Sequence, residues 1–332
     1  MNDDTRIDTV HRPAPARPVR RRRGRRWVIG ILLTLVVATA GLLAALTLTE
    51  FRTGDTGPLP SLASAGEVYL IVGTDSRENL PDDLEGAFGD FAGSRADVII
   101  LTQVVDGRVQ LLSIPRDLRV EIPGHGTNRV NAAYAFGGPD LLVATVTGAT
   151  GIPISHYMEV EFGGFASIVD ALGGIELDIP YPARDIKSGL EIEAGRQVVS
   201  GATALAYARS RSYEEYRDGS WVGTGGGDIV RTARQREVLL KIMDRATSPS
   251  GLVRSPGVLL AVTGDLTTDP SVTPLVLART ALGMRAAGVT DTVTLPVRGA
   301  TEGGRSYVVR DEPAATAVLE AFLAGNPLSP EG

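Results

Sequence analysis

The residues of this chain that could do chemistry are carboxylates and guanidinium groups, and they fall where apolar segments end. Carboxylates suit a hard divalent cation such as Mg²⁺, and the planar fork of arginine matches the oxygens of phosphate. Together they predict a pocket for a metal-chelated pyrophosphate. The acids at such positions are Asp75, Asp97, Asp117 and Asp228, and the bases are Arg77, Arg95, Arg116, Arg129, Arg209, Arg211 and Arg231.

One stretch in the second half of the chain concentrates these groups. Arg209 and Arg211 lie two residues apart, so an extended segment would point both side chains the same way. After a glycine-rich loop, Asp228, Arg231 and Gln235 recur at helical spacing on one face, and that face then becomes apolar. Polar groups on an inward helix face are costly unless they are paired. The pattern therefore indicates either an internal salt-bridge network, with Asp228 pairing Arg209 or Arg231, or a binding site.

Composition argues against several other chemistries. The chain has no cysteine, so disulfides and thiolate metal sites are not available, and its three histidines are scattered. A histidine zinc site or a Ser-His-Asp relay is therefore not expected. The loop at 73–77 lacks the Gly-Lys-Ser/Thr of a Walker A motif, and the glycines at 225–227 follow no predicted strand, so they are not a dinucleotide fingerprint.

The charge distribution separates the N-terminus from the rest of the chain. Residues 1–26 hold nine arginines and three aspartates, about +6, so the net charge of −6 leaves about −12 on the remainder. An acidic folded region argues against a nucleic-acid partner. Residues 27–49 are uncharged and almost wholly apolar, and at about 1.5 Å per residue they span roughly 33 Å, enough for a bilayer.

The apolar run has two interpretations, a cleaved signal peptide and a retained membrane anchor. We favour the anchor, because the run exceeds a typical signal core and no clear small-residue cleavage site follows. The arginines before it place the N-terminus in the cytoplasm and the remainder outside the cell membrane. We expect a disordered basic tail at 1–26, a single transmembrane helix at 27–49, a linker at 50–65, one extracytoplasmic domain at 66–326 and a tail at 327–332.

Beyond the linker, apolar strands alternate with helices, which predicts an α/β fold, an αβα sandwich with one central mixed sheet flanked by helices. Residues 212–227 carry Tyr213, Tyr216 and Trp221 and are expected to form a surface loop. We expect strands at 67–73, 97–105, 109–114 and 258–262, helices at 140–147 and 228–246, and an acidic insertion at 78–94.

An ordered series of motifs carries a family resemblance. The chain resembles the LytR–CpsA–Psr (LCP) family, membrane-anchored enzymes of Gram-positive cell walls, over nearly the whole predicted domain. The ordered series is more specific than any one of its members. The motifs are VGTDSR at 72–77, RAD at 95–97, LSIPRD at 112–117, NRVNAAY at 128–134, FASIVDALGG at 165–174, AYARSR at 206–211, and DIVR with RQ at 228–235.

The resemblance implies a phosphotransferase that moves a phosphoglycan from a polyprenyl-pyrophosphate-linked precursor to a hydroxyl of peptidoglycan. The polymer attached would be a secondary wall polymer such as arabinogalactan or teichoic acid. Asp75 and Asp97 would hold Mg²⁺ or Mn²⁺ and, with Arg116, form the catalytic set, and membrane lipid is a further partner. The residues implied to bind pyrophosphate are Arg116, Arg129, Arg209, Arg211, Arg231 and Gln235, with Asp228 orienting the arginines.

The chain departs from the family pattern at three positions. Arg129 stands where lysine is common, which keeps the charge but changes the geometry. Ala96 replaces a serine beside the expected metal ligand, and Ser212 replaces a histidine after the arginine pair. The loop that follows, 212–227, is longer than usual in the family and either shapes acceptor binding or is a plain surface loop. Two alternative functions stay open at this point. One is a pyrophosphatase that transfers to water, and the other is a non-catalytic lipid-binding or regulatory membrane protein.

Overall fold

The computed structural model describes residues 52–54, 59, 67–74, 96–225, 227–248, 250–251, 265–287 and 289–328. The basic tail predicted at 1–26, the transmembrane segment, the acidic insertion and the strand predicted at 258–262 lie outside the described residues. Within the described ranges, no helix is both long enough and apolar enough to cross a membrane.

The elements are numbered in chain order over the described part of the chain. The strands are β1 (Arg52–Thr53), β2 (Tyr69–Thr74), β3 (Ala96–Val105), β4 (Arg108–Ser113), β5 (Arg119–Ile122), β6 (Gly126–Arg129), β7 (His156–Glu161), β8 (Ile175–Ile179), β9 (Ala183–Asp185), β10 (Leu190–Ile192), β11 (Gly195–Val199), β12 (Glu214–Arg217), β13 (Ser220–Gly223), β14 (Leu266–Thr268), β15 (Val289–Thr294), β16 (Val297–Glu302) and β17 (Arg305–Arg310). The helices are α1 (Val130–Thr150), α2 (Phe162–Ala171), α3 (Gly201–Arg209), α4 (Gly227–Thr247), α5 (Pro274–Ala287) and α6 (Ala314–Ala324).

A seven-stranded sheet in the order β1-β14-β7-β2-β3-β4-β15 forms the centre of the fold. The β2 strand is parallel to β7, whereas β3 is antiparallel to both of its neighbours, β2 and β4. The predicted mixed α/β fold with a central mixed sheet is therefore confirmed. Because β2, β4 and β7 run in one direction, their carboxyl ends meet the amino end of β3 at one edge of the sheet.

One face of this sheet packs on α1 and α6. Alternate residues of a strand point to opposite faces, and on this side Leu70, Val72 and Leu101 belong to one cluster with Val146 of α1 and Phe322 of α6. Phe322 is fully buried, and burying a side chain of this size stabilises a fold by roughly 1.5–3 kcal/mol. This apolar layer is continuous and supports the sheet on the face opposite the candidate site.

The opposite face packs on α4 and α5. Ile71, Ile100 and Leu111, which alternate with the residues of the first face, contact Leu239 of α4 and Met284 of α5. Helices therefore cover both faces of the central strands, and the α4 side is the one that carries the candidate site.

The helix predicted at 140–147 corresponds to the second part of α1, which follows a kink, and the first part of α1, from Val130 to the kink, was not predicted. The helix begins at Val130 because the first turns also face the core, where Val130 and Ala133 are buried. Gly137 and Gly138 have non-helical backbone angles and interrupt the helix just before Pro139. A glycine pair followed by proline is a common cause of such a kink.

The prediction of a loop at 212–227 is also wrong, since β12 and β13 form a β-hairpin there. The two residues at its turn, Asp218 and Gly219, have φ angles of 50° and 81°. An Asp-Gly turn with both φ angles positive matches the right-handed twist of paired strands. The hairpin pairs with β9 and completes a four-stranded sheet, β10-β9-β12-β13.

Close packing of α3 on α2 gives a stability prediction. A Cβ atom added to Gly201 would lie 2.1 Å from the carbonyl oxygen of Ala166. We expect Gly201→Ala to lower the free energy of unfolding by about 1–3 kcal/mol, because the backbone must move apart. The control is Gly148→Ala in α1, where the added atom meets nothing within 4 Å and helix propensity favours alanine. The free energy of unfolding of each variant is measured by urea denaturation followed by circular dichroism. Equal values for the two variants would contradict the close packing at Gly201.

Candidate active site

A β-bulge aims Asp97 out of the central sheet. Gly73 pairs with Val98 and Thr74 pairs with Ala96, so Asp97 is the extra residue between two successive pairs. Bulges of this kind bend a strand locally and re-aim a side chain. Asp97 consequently lies at the sheet edge where the carboxyl ends of β2, β4 and β7 meet.

A series of ion pairs connects Asp97 to Arg116, Asp117 and Arg129. Arg116 Nη1 lies 2.5 Å from Asp97 Oδ1, and Arg116 Nε lies 3.7 Å from Asp117 Oδ2. Arg129 Nη1 lies 3.4 Å from Asp117 Oδ1. The side chains of Arg116 and Asp97 are 17% and 20% exposed, so solvent screens this pair only partly. The structure therefore brings Asp97, Arg116 and Arg129 together.

Other residues of this chain bind the guanidinium nitrogens of Arg129. Its Nε and Nη2 atoms donate to the carbonyl oxygen of Ser306 at 3.2 and 2.9 Å, and its guanidinium lies 5.8 Å from the ring centroid of Tyr307. Two of its nitrogens thus bind β17 while the third faces Asp117. This arrangement fixes the orientation of Asp117 beside Arg116.

Arg209 is the last residue of α3, not part of an extended segment. The expectation that Arg209 and Arg211 share an extended segment is therefore wrong, since only Ser210 between them has extended backbone angles. Arg209 lies with its guanidinium 4.9 Å from the ring centroid of Phe162. Arg211 follows after the helix end and is exposed.

Two residues outside the predicted set hold Ser210. Asp185 Oδ2 accepts hydrogen bonds from the Ser210 hydroxyl at 2.7 Å and from the backbone N–H groups of Arg211 and Ser212 at 2.9 and 2.8 Å. Arg234 Nη2 donates to the Ser210 carbonyl oxygen at 2.5 Å. These contacts fix the backbone between the two arginines from both sides, so Asp185 and Arg234 are positioning residues.

The environment of this clamp shifts two pKa values. Burial tends to raise the pKa of Asp185, but hydrogen bonds from the Ser210 hydroxyl and from the backbone N–H groups of Ser212 and Lys187 outweigh it and lower that pKa. Burial lowers the pKa of Arg234, although an arginine retains its proton at any physiological pH. The clamp is therefore a charged pair around one serine.

The predicted polar face of α4 is present from Arg231 onward. Arg231 is 4% exposed, and Gln235, Val238 and Ile242 all line one cavity. Asp228 lies in the first turn of α4, and its side chain is outside the described part of the structure. The salt bridges proposed for Asp228 therefore stay predictions.

An apolar cavity of about 160 Å³ lies between the central sheet and the helices α2, α3 and α4. Gly73 and Val98, which flank the bulge, form part of its wall, so the cavity begins at the sheet edge that carries Asp97. Its polar lining residues are two of the predicted pyrophosphate ligands, Arg209 and Gln235. The apolar lining is Ile71, Val72, Val98, Ile100, Val160, Phe162, Phe165, Ile168, Leu205, Ala208, Val238, Leu239 and Ile242.

Comparison with known families accounts for this combination of fold and site. The model of the LytR_cpsA_psr family matches residues 60–322. The chain belongs to the LCP family. The family resemblance drawn from the motifs is confirmed.

Two curated relatives match this LCP chain. The probable cell wall biosynthesis protein LcpB of Corynebacterium glutamicum is 38% identical over 276 residues, which are 81% of this chain and 64% of that protein. The polyisoprenyl-teichoic acid–peptidoglycan teichoic acid transferase TagU of Halalkalibacterium halodurans is 34% identical over 204 residues, 60% of each chain. The chain thus spans less than two thirds of the length of these two relatives.

Solved structures share the fold. The LytR-Csp2A-Psr enzyme from Actinomyces oris superposes with a TM-score of 0.64 at 30% identity, covering 82% of this chain and 96% of that chain. The family protein YwtF (TagT) with bound octaprenyl pyrophosphate lipid superposes with a TM-score of 0.58 at 20% identity, covering 82% and 98%.

Sequence reasoning also missed Glu159, a carboxylate on β7 that is 5% exposed. It accepts hydrogen bonds from the hydroxyls of Thr74, Tyr134 and Tyr157 at 3.0, 2.6 and 2.8 Å. Burial raises the pKa of the Tyr157 phenol, and the neighbouring Glu159 charge adds to the shift. This network joins the end of β2 to α1 of the LCP fold, so it fixes the sheet edge beside the bulge. A glutamate between two apolar strand residues, Met158 and Val160, was the available signal.

A divalent cation fits the donor chemistry at this edge. Mg²⁺ is usually held by one or two carboxylates together with phosphate oxygens and water, and Asp97 supplies one such carboxylate beside Arg116. Within the described ranges, no group of three or more histidines and acids is placed to hold a metal by itself. Asp75, the second predicted ligand, lies outside the described residues.

The clamp on Ser210 gives a pH-dependent prediction. Since the pKa of Asp185 is lowered in the folded chain, its stabilising contribution is present above the unfolded aspartate pKa of about 4 and is lost as the pH falls through the folded value. We expect Asp185→Asn to destabilise the fold by about 1–3 kcal/mol at neutral pH, because it weakens three accepted hydrogen bonds.

Urea unfolding at a series of pH values measures the effect. The difference between wild type and Asp185→Asn should persist from pH 7 down to about pH 4 and narrow below that. Asp178→Asn, at an exposed aspartate on β8, is the matched control and should change little. A difference that did not depend on pH would show that the Asp185 charge contributes nothing.

Proposed function

We propose that this LCP protein is a phosphotransferase that moves a phosphoglycan from a polyprenyl-pyrophosphate-linked precursor to a hydroxyl of peptidoglycan. One observation carries the proposal. Arg209 and Gln235, both expected to bind pyrophosphate, lie on the wall of an otherwise apolar cavity. An anion-binding group at the edge of an apolar space suits a ligand with a charged head and a hydrocarbon tail.

Charge neutralisation and positioning are the main requirements of phosphoryl transfer. In the proposed reaction the acceptor hydroxyl oxygen bonds to the phosphorus that carries the glycan. The bond from that phosphorus to the bridging oxygen breaks, and polyprenyl monophosphate leaves. The acceptor proton passes to water or to a carboxylate at this edge such as Asp97. Arg116 and Arg209 balance charge on the pyrophosphate oxygens.

We also propose Mg²⁺, or Mn²⁺, as the cofactor, held by Asp97 and Asp75. When bound, the cation neutralises phosphate charge. Arg116, fastened to Asp97 at 2.5 Å, keeps that carboxylate oriented toward the sheet edge. Arg129 does the same for Asp117 one step further along the chain of ion pairs.

The comparisons support this reading. One relative is named a polyisoprenyl-teichoic acid–peptidoglycan teichoic acid transferase, and one protein of the same fold was solved with octaprenyl pyrophosphate lipid. For this chain the proposed setting is a cell membrane crossed once by residues 27–49, with the N-terminus in the cytoplasm and the site outside. Peptidoglycan and membrane lipid are its proposed partners.

The first experiment measures transfer. The detergent-solubilised full chain is incubated with a labelled polyprenyl-pyrophosphate glycan, Mg²⁺ and soluble peptidoglycan. We expect label on peptidoglycan, and a loss of about a hundredfold in rate for Arg209→Ala, because one charge at the transferring phosphate is removed. Arg119→Ala, at an exposed arginine paired with Glu302, is the control.

Each other outcome would overturn the ligase reading. Release of phosphoglycan without attachment would indicate a pyrophosphatase. Lipid binding with no turnover, unaffected by Arg116→Ala, would indicate a regulatory lipid-binding protein.

The metal proposal has its own test. Transfer should stop when EDTA is added and return with Mg²⁺ or Mn²⁺. We expect Asp97→Asn to raise the Mg²⁺ concentration needed for half-maximal rate by roughly tenfold, since one anionic ligand becomes neutral. Asp178→Asn is the matched control. Activity that survives EDTA would contradict the cofactor assignment.

A further inference from the structure

An exposed isoleucine lies beside the arginine pair of the candidate site. Ile186 is 83% exposed, the highest value among the large apolar side chains of the described ranges. It follows Asp185, whose carboxylate accepts hydrogen bonds from the backbone N–H groups of Arg211 and Ser212 at 2.9 and 2.8 Å. The turn at residues 186–189 between β9 and β10, which we call the Ile186 turn, therefore lies next to the exposed Arg211.

The Ile186 turn has a fixed conformation. The backbone N–H of Lys187 donates to Asp185 Oδ1 at 2.9 Å, and that of Ser188 donates to the Asp185 carbonyl oxygen at 3.2 Å. Gly189 has a φ angle of 72°, in the left-handed region that glycine adopts without strain. The exposure of Ile186 is thus built into the fold, and a projecting side chain held in this way enters a partner at a small entropy cost.

The exposed side of the Ile186 turn is positively charged. Lys187 and Arg211 are exposed, whereas Asp185 is 1% exposed and its carboxylate is fully engaged. The next acid along the chain, Glu191, is the cross-strand partner of Arg184, so a cation faces it. An apolar tip with two cations beside it suits an anionic bilayer, because the apolar side chain enters the acyl boundary while the cations stay with the lipid phosphates.

The Ile186 turn belongs to the sheet edge where β2, β4 and β7 end, which we call the site edge. The guanidinium of Arg209 lies 4.9 Å from the ring centroid of Phe162, the residue that follows the carboxyl end of β7. Arg211 is two residues further on, and its hydrogen bond to Asp185 joins it to the turn. The exposed isoleucine therefore lies on the side of the molecule that carries the candidate site.

The direction of β1 independently places a bilayer at the site edge. Strand β1 is parallel to β14, which is antiparallel to β7. Arg52 pairs with Thr267, and Thr267 lies opposite Glu159. Thr53 is one position further from the carboxyl end of β7, so β1 enters the sheet from the side of the site edge. Residue 49, the expected end of the transmembrane span, is three residues before Arg52 and hence at most about 11 Å from it.

We propose that the Ile186 turn and Arg211 contact the surface of an anionic lipid bilayer, which lies against the site edge. This inference rests on the proposed function and names the surface through which that site meets membrane lipid. A polyprenyl-pyrophosphate-linked precursor keeps its hydrocarbon chain in the bilayer, so its pyrophosphate lies at the level of the lipid phosphates. With Ile186 in the acyl boundary, Arg211 is at that level and Arg209 is two residues away. The contact brings the pyrophosphate to the arginines and takes no part in bond making or breaking.

A single label tests the contact, because the chain has no cysteine of its own. The full chain with Ile186→Cys is labelled with a fluorophore and reconstituted in vesicles of phosphatidylethanolamine and phosphatidylglycerol, some of which carry a nitroxide in the headgroup region. We expect the nitroxide lipids to quench about half of the fluorescence or more, since the labelled position lies within the headgroup and acyl boundary.

The matched control is Leu282→Cys, at a 52% exposed apolar residue of α5. The strands that α5 connects, β14 and β15, meet it at the edge of the sheet opposite the site edge. A label at this position should lose almost no fluorescence. Equal quenching at the two positions would show that the Ile186 turn has no special contact with the bilayer.

A change of charge tests the cationic part of the contact. Lys187→Gln should raise the KM for a donor embedded in these vesicles by about fivefold and leave kcat unchanged, because one attraction to lipid phosphate is lost. Arg279→Gln, at an exposed arginine of α5, is the control and should change neither constant. With a short-chain, water-soluble donor, Lys187→Gln should behave as the wild type does.

The outcomes separate this inference from the proposed function. A chain that transfers phosphoglycan but shows equal quenching at both labels would overturn the membrane contact and leave the proposed function intact. Quenching confined to Ile186, without any transfer, would uphold the contact and overturn the proposed function. Undiminished quenching in phosphatidylcholine vesicles would overturn the choice of an anionic surface. A raised KM for the water-soluble donor would place Lys187 inside the site and also overturn the proposal.

Discussion

Guanidinium groups that are largely removed from water create the free-energy problem on which the site depends. A cation removed from water is costly unless charge or hydrogen bonds compensate it. In this chain each of these arginines has its own compensating contact. Arg116 lies on Asp97, Arg234 donates to the Ser210 carbonyl oxygen, and Arg209 lies over the Phe162 ring. The compensation also fixes direction, so the cations are oriented before a ligand is present.

The central sheet brings residues from separate motifs to one region of the fold. Motifs far apart in sequence meet because β2, β4 and β7 end at the same edge, and the bulge opposite Gly73 turns Asp97 toward it. Glu159 then ties that edge to α1 through three hydroxyls. Two scaffolds thus cooperate, since the sheet edge presents Asp97 and Arg116 while the small sheet at β9 presents the segment around Ser210.

The predictable part of the structure is the part whose signal is local. The apolar runs gave β2, β3 and β4 within two residues, and helical spacing placed Gln235 on the face that lines the cavity. Asp185 could not be found this way, because its role comes from hydrogen bonds to residues 25 to 27 positions away. The β12–β13 hairpin was missed although Asp218-Gly219 is a strong turn signal, since flanking charged residues concealed the strand alternation.

The size of the apolar cavity has a consequence for motion. At about 160 Å³, it matches an engineered protein cavity of about 150 Å³ that takes up benzene. A hydrocarbon chain longer than one small ring therefore either extends out of this cavity or separates α4 from the sheet. Met243 and Met284, whose unbranched side chains change rotamer readily, lie in that layer. Where α4 gives way in this manner, loading such a chain is an expansion of the molecule.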